Sequence, residues 1–461
     1  MVSRSKLIFY TFCAVLWASA CFGFVSQELL PPLEKLQTPL FMLLDLAVVI
    51  MGLATIRSRK WILPIVIFLV LGFVSTVMVN HLGISRWLNG SRDFIPILFL
   101  PGIIAWLLRN PRAPEFRASI DRQLYIFMVF QAVCITEQFL RYGANDHGGG
   151  SMGNGYSGIA SILIVTLSFY FVRKNFDPDN YLRSIWQNRR YVLLMYPILL
   201  NETKVSFILV ALYFLLLYRA NLRSLGKITV AAPFLALVFV LMYSLYSSVT
   251  TVTEDERDDV ASASYVKDYL FGVDFDEAVD NVENIVENDM IADVIVDRID
   301  LPRFIKFAVM PAAVTKTAGG DWLGAGLGQY KGLGAGIGHS SSNPTKFYVE
   351  YRWFMEGTVT VLMYSYIQLG ILGVIWLLYV CVNALDFRHN YGRMALKFKI
   401  YQAAVIVLIF LYNNALIKII FCLIFFYITG VLSDKSAAVA ERRRNNAAAG
   451  AAHSLPGKAT V

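Results

Sequence analysis

Three apolar runs, at about 6–25, 38–56 and 61–79, fill most of the first eighty residues. Each is long enough to cross the hydrocarbon of a bilayer, which takes roughly 20 helical residues. A backbone in lipid must satisfy its own N–H and C=O groups, so runs of this length become helices. Nine more candidates follow, at about 94–108, 123–140, 157–173, 190–201, 203–219, 227–248, 357–381, 399–413 and 415–432. Several are short. The polar run Asn201-Glu202-Thr203-Lys204 splits one close pair and Asn413-Asn414 another. Each pair reads as a tight hairpin or as one broken helix, which leaves counts of ten or eleven open. Only 16% of residues are charged and 57% are hydrophobic, against about 25% charged in soluble domains. The expectation is an all-α polytopic membrane protein with about 12 transmembrane helices.

The charges give the topology. With the N-terminus in the cytoplasm and alternating spans, the cytoplasmic segments hold 26 of the 41 basic residues. The short outer loops hold five, namely Lys35, Arg86, Arg92, Arg141 and Lys204. This is the positive-inside pattern, so the net charge of +8 reads as topology and not as a nucleic-acid surface. Both termini are expected in the cytoplasm. The division is 1–248 for spans one to nine, 249–356 for one long periplasmic loop, 357–432 for spans ten to twelve, and 433–461 for a disordered cytoplasmic tail. The first run ends in Ala18-Ser19-Ala20-Cys21. Those are the small residues of a signal cleavage site, but an uncleaved first helix is the reading taken. Five cysteines in apolar stretches, with no CxxC spacing, give neither a disulfide framework nor a zinc site.

The outer loop is acidic, with 19 carboxylates against nine basic residues. From about 275 to 300, Val279, Val282, Ile285, Val286, Met290, Ile291, Val294 and Ile295 recur at helical steps, as in an amphipathic helix lying on the membrane or the bundle. Pro302 ends it, and a second helix is expected from Arg303 to about Lys316. Nine of residues 319–338 are glycine. Such a stretch lets backbone approach a ligand and can cradle phosphate with its N–H groups, with a flexible linker as the alternative. No Gly-Lys-Ser/Thr follows, so it is not a nucleotide P-loop. His339 closes the run, before Ser340-Ser341-Ser342-Asn343-Pro344.

Leu323-Gly324-Ala325-Gly326-Leu327-Gly328 through His339 and Asn343, with Gln368-Leu369-Gly370-Ile371-Leu372-Gly373 in the following span and Arg86-Trp87-Leu88-Asn89-Gly90-Ser91-Arg92 before span four, resembles the O-antigen polymerase and O-antigen ligase superfamily. The resemblance covers most of the chain in topology and little of it in motif. Lys204 stands where the family often has Arg, and Arg303 is followed by Phe304-Ile305-Lys306. The resemblance implies a glycosyltransferase at the outer face of a bacterial inner membrane, using an undecaprenyl-pyrophosphate-linked oligosaccharide. A polymerase moves the glycan onto a lipid-linked repeat unit, and a ligase moves it onto lipid A core. A chain-length regulator, a flippase and membrane lipids are the partners it implies, with no nucleic acid and no cofactor.

Cleaving the anomeric bond to pyrophosphate builds negative charge on the leaving group, so the site needs fixed cations. Arg suits this, because its planar fork pairs bidentately with phosphate. The candidates are Arg303 and Arg298, with Lys306 one turn from Arg303, and Lys204, Arg86 and Arg92 at outer ends of spans. Pairing with nearby carboxylates such as Asp297, Asp300 or Glu202 is the alternative for several of them. The acceptor is a sugar hydroxyl, and His339 is the expected base or acceptor-orienting residue, with His147 a second candidate. Asn343 and Glu350 are assigned to the acceptor side or the loop. No metal site is expected, and the acidic stretch lacks the EF-hand spacing. A transporter of lipid-linked sugars is the rival from another class, because spans broken near Asn201 and Asn413 would suit a midplane site. Lys418, in the last span, has no role in either reading.

Overall fold

The computed structural model describes residues 3–143, 148–177, 180–201, 205–217, 303–329, 347, 351, 359–391 and 394–434, and among them there are helices and no strands. The main helices are α1 (Arg4–Phe24), α2 (Gln37–Thr55), α3 (Arg59–Phe73), α4 (Ile84–Ser91), α5 (Ile95–Arg109), α6 (Ala113–Tyr142), α7 (Ser157–Asn175) and α8 (Tyr181–Gln187). They continue as α9 (Arg189–Leu193), α10 (Pro197–Leu200), α11 (Val205–Leu217), α12 (Arg303–Thr315), α13 (Gly320–Leu323), α14 (Val361–Leu385), α15 (Ala395–Tyr412) and α16 (Ile419–Leu432).

Eight helical segments among the described residues are long and apolar enough to cross a membrane: Arg4–Leu29, Pro31–Thr55, Arg59–Val79, Ile84–Arg109, Ala113–Tyr142, Ser157–Asn175, Val361–Leu385 and Ala395–Tyr412. Each overlaps an apolar run marked in the sequence. The run at 203–219 gives the shorter α11, and the run at 415–432 gives α16 after a 3-10 turn, Ala415–Ile417. The run at 190–201 is corrected: it forms no single helix but the short α9 and α10 joined by turns. Pro197 lies at the start of α10, where it supplies no N–H to bond back to the preceding turn. The expected span at 227–248, the amphipathic helix at 275–300 and the tail beyond 434 lie outside the described residues.

Helices α7 and α16 form the centre, with nearly every side chain buried. α16 packs on α5, which packs on α2; α14 packs on α3 and α15. α7 carries Ser161, Thr166 and Ser168 inward, small polar residues that let helices approach closely. α2 and α3 instead expose Leu43, Leu46, Ile50, Leu53, Leu63, Val66 and Val70, an apolar outer face suited to lipid.

Polar contacts tie one end of the bundle. Asp121 of α6 accepts from Tyr170 at 2.8 Å, from Lys174 at 2.7 Å and from Tyr427 at 3.1 Å, which joins α6, α7 and α16. Lys60 pairs with Asp386 at 3.0 Å, and Arg117 with Asp434. Lys399 of α15 donates to the carbonyl oxygens of Asp386 and His389, each at 2.6 Å, and to Ser433 at 2.9 Å. These residues come from segments that the charge pattern groups on one side.

Candidate functional site

A helix interrupted inside a membrane frees backbone groups that lipid cannot satisfy. α14 is interrupted at Gly370, whose φ of 63° and ψ of −158° are far from helical. The carbonyls freed at Ile367 and Gln368 accept from Ala325 N–H at 2.8 Å and Gly326 N–H at 3.0 Å. The glycine run is therefore the partner of the break, and its described part is not a linker.

The contact admits glycine alone. Gly324 has φ of 69°, and a Cβ there would lie 2.6 Å from the amide nitrogen of Gly370. A Cβ on Gly370 would lie 2.4 Å from the carbonyl oxygen of Asp321. Both glycines occupy a backbone region that side chains disfavour.

The π-helical turn Val74–Val79 that ends α3 supplies the other partners. Ser75 Oγ donates to Leu323 O at 2.6 Å, Thr76 Oγ1 accepts from Leu327 N–H at 2.8 Å, and Asn80 Nδ2 donates to Gly324 O at 3.0 Å. Gln368 Oε1 accepts from Gly328 N–H at 2.8 Å. The backbone N–H groups from Leu323 to Gly328 are all bonded within the protein. This corrects one expectation in part: from Leu323 to Gly328 the run holds no N–H free to cradle phosphate.

The expected cations fall out unevenly. Arg86 lies on α4, and its carbonyl oxygen and Gly90 both back onto Gly328, so α4 is held against the end of the run. Arg92 starts the 3-10 turn after α4 and pairs with Asp45 of α2 at 3.2 Å. α12 begins at Arg303 and ends at Thr315, close to the helix expected from sequence, and packs against α13 and α14. Lys306 on α12 is buried, 1% exposed, and engaged within the protein. The side chain of Arg303 lies outside the described residues, as do His339, Arg298, Lys204, Asn343, Glu350 and His147.

Around the same contact lie groups that the sequence reading passed over. Asp93 accepts from the hydroxyl of Tyr364, and Asp321 from that of Tyr366. Among the described residues Trp87 Nε1, Gln329 Oε1 and Ser365 Oγ are buried without a hydrogen-bond partner. Asp45, inside an apolar run, and Asp93, at the start of one, were visible in the sequence as charges that a membrane helix seldom carries without a partner.

Lys418 also finds a place. It is the N-cap of α16, in extended conformation, with Nζ 5.2 Å from the centre of the Tyr156 ring. That is within the range of a cation–π contact. The break before it is braced as the first one is: Asn413 O accepts from Val361 N–H at 2.9 Å, and its side-chain oxygen accepts from Ala415 N–H at 3.0 Å.

No family sequence profile matches the chain, and no curated protein matches it.

Proposed function

We propose that this protein is a membrane glycosyltransferase that transfers a glycan from an undecaprenyl-pyrophosphate carrier to a lipid-linked repeat unit, at the outer face of a bacterial inner membrane. One observation carries the reading. Three segments far apart in sequence meet at the Gly324–Gly370 contact: α4 with Arg86, the glycine run that leads to His339, and the interrupted α14. These are the segments on which the resemblance to O-antigen polymerases and ligases rests. Arg86 and Arg303, with Arg298 and Lys204, hold the pyrophosphate in this reading, and Lys306 and Arg92 set the helices that carry them. His339 takes the proton of the acceptor hydroxyl as the anomeric carbon passes from pyrophosphate oxygen to sugar oxygen. Asn343 and Glu350 orient the acceptor.

The carrier reading draws on the same break, since interrupted spans line many transport sites. Purified protein in liposomes with lipid-linked repeat units separates them. Longer glycans on the lipid carrier support the polymerase. Transfer to lipid A core alone gives the ligase, and passage across the bilayer with no bond changed gives the carrier.

A further inference from the structure

α7 and α16 start side by side. Toward their other ends Lys174 and Tyr427 both bond to Asp121, so the two helices run the same way. At their starts Tyr156 is the N-cap of α7 and Lys418 the N-cap of α16, with Lys418 Nζ 5.2 Å from the Tyr156 ring centre. In the expected topology this is the outer end of the bundle.

Three kinds of unpartnered group meet there, and all are donors. Lys418 Nζ makes no ion pair or hydrogen bond among the described residues. The N–H groups of Ile419, Ile420 and Phe421 in the first turn of α16 bond to nothing among the described residues, and no side chain caps that helix. Asn413 is only 9% exposed, and its Nδ2 has no partner. Its Oδ1 accepts from Ala415 N–H at 3.0 Å, which identifies the free atom as the nitrogen and turns the amide over the 3-10 turn that leads into α16. The place is open to its surroundings. Lys418 and Tyr156 are half-buried and Asn154 and Gly155 exposed, and a Cβ on Gly155 would meet nothing within 4 Å. An ammonium, a helix N-terminus and a buried amide N–H, with no carboxylate paired to them, suit an anion, and phosphate has oxygens for all three.

We propose that Lys418, Asn413 Nδ2 and the first turn of α16 bind the pyrophosphate of the lipid-linked acceptor. The proposal rests on the glycosyltransferase reading above and deepens it. Polymerisation holds two pyrophosphates at once: one leaves with the donor carrier, and the other stays on the acceptor with no bond to it changed. Arg86, Arg303, Arg298 and Lys204 are assigned to the first. α14 joins the two places, since Val361 N–H at its start bonds to Asn413 O at 2.9 Å and Gly370 further along it meets Gly324. A ligase takes one such carrier and has no use for the second site.

The test uses purified full-length protein in nanodiscs. Undecaprenyl pyrophosphate is titrated in, and transfer is followed with a polymer-bearing donor and a single-repeat acceptor varied separately. Two carriers bound per protein are expected. Lys418→Met should weaken one of them about tenfold, the size of one charge-assisted hydrogen bond. It should raise the acceptor KM by the same factor and leave the donor KM unchanged, and Lys418→Arg should recover part of the loss. Inorganic phosphate, which no membrane concentrates, should displace little of the carrier. One carrier per wild-type protein, an acceptor KM and binding unchanged in Lys418→Met, a donor KM that rises instead, or displacement by an equal concentration of inorganic phosphate each overturns the proposal. Two carriers bound, one of them weakened in Lys418→Met, with no glycan bond formed by the wild type, supports the second pyrophosphate site and overturns the transferase reading instead. Lys418 is half-buried and in no ion pair, so its variants are expected to fold, and an unchanged melting temperature checks this.

Discussion

Gly324 and Gly370 meet backbone to backbone: a Cβ on the first would stand 2.6 Å from the amide nitrogen of the second. A 2.6 Å approach leaves no room for a methyl group, and the neighbours are main-chain atoms that cannot turn aside. Gly324→Ala or Gly370→Ala should therefore destabilise the bundle by about 2–4 kcal/mol, from positive-φ strain together with overpacking. Thermal unfolding in detergent measures this. A melting temperature unchanged in both variants would mean that the two segments are not in contact.

Arg92 and Asp45 form a pair whose side chains are 24% and 14% exposed. That is more buried than a surface ion pair, which contributes about 0–1 kcal/mol. Arg92→Ala and Asp45→Asn should each lower stability by about 1–3 kcal/mol, and the double variant should cost less than their sum. Strict additivity in that cycle would show that Arg92 is not held by Asp45 and would return it to the phosphate candidates.

Asp386 supplies a pH dependence. Burial works against its charge, but His389 and Lys60 outweigh burial and hold the carboxyl below its ordinary value of 3.8, with the amino group of Lys399 from α15 also close by. Its folded value is depressed, so the stability it contributes is present above the unfolded value and disappears as pH falls through the folded one. The melting temperature should fall below about pH 3.8, and Asp386→Asn should flatten that part of the profile. Lys60→Met removes part of what lowers the carboxyl, so it should lessen that fall.

His339 carries the chemistry in the proposed mechanism. His339→Ala should slow transfer by roughly 10²–10⁴-fold, the range of general acid–base catalysis, with donor binding retained. His339→Gln keeps a hydrogen bond but accepts no proton. Normal turnover in the Gln variant assigns His339 to orienting the acceptor, and normal turnover in the Ala variant removes it from the site. Arg303→Ala should also lower product strongly, and Arg303→Lys should regain only part of it, because a lysine cannot pair bidentately.

The spans that lay in long uniform runs were legible from sequence, because hydropathy summed over about twenty residues reports the preference of a whole helix for lipid. The start of α12 was also legible, since Pro302 and the apolar spacing after it mark a boundary. The interruption at Gly370 was not. Gln368-Leu369-Gly370-Ile371 is apolar enough to continue a helix, and what meets it at the break is Gly324, far upstream in sequence, which hydropathy does not register. The glycine run was read correctly as a place of close backbone approach, but its partner was not legible, for the same reason. Its composition permits flexibility, but its N–H groups are fixed by Ile367, Gln368 and Thr76. Asp45 stands out as a charge in an apolar run, but nothing in the sequence names Arg92, 47 residues on, as its partner.

A reporter active only outside the cytoplasm tests the expected topology. Fused within 255–300 it should be active, and fused after residue 435 it should be silent. The reverse at either point would invert the map.

Ser75 and Thr76 are bonded to Leu323 and Leu327, so the third helix to leave the ribosome waits for residues made some 250 positions later. The end of that helix therefore lacks these partners through most of synthesis. A chain cut short before residue 323 would leave Ser75 and Thr76 without those partners, and the bundle open at that point.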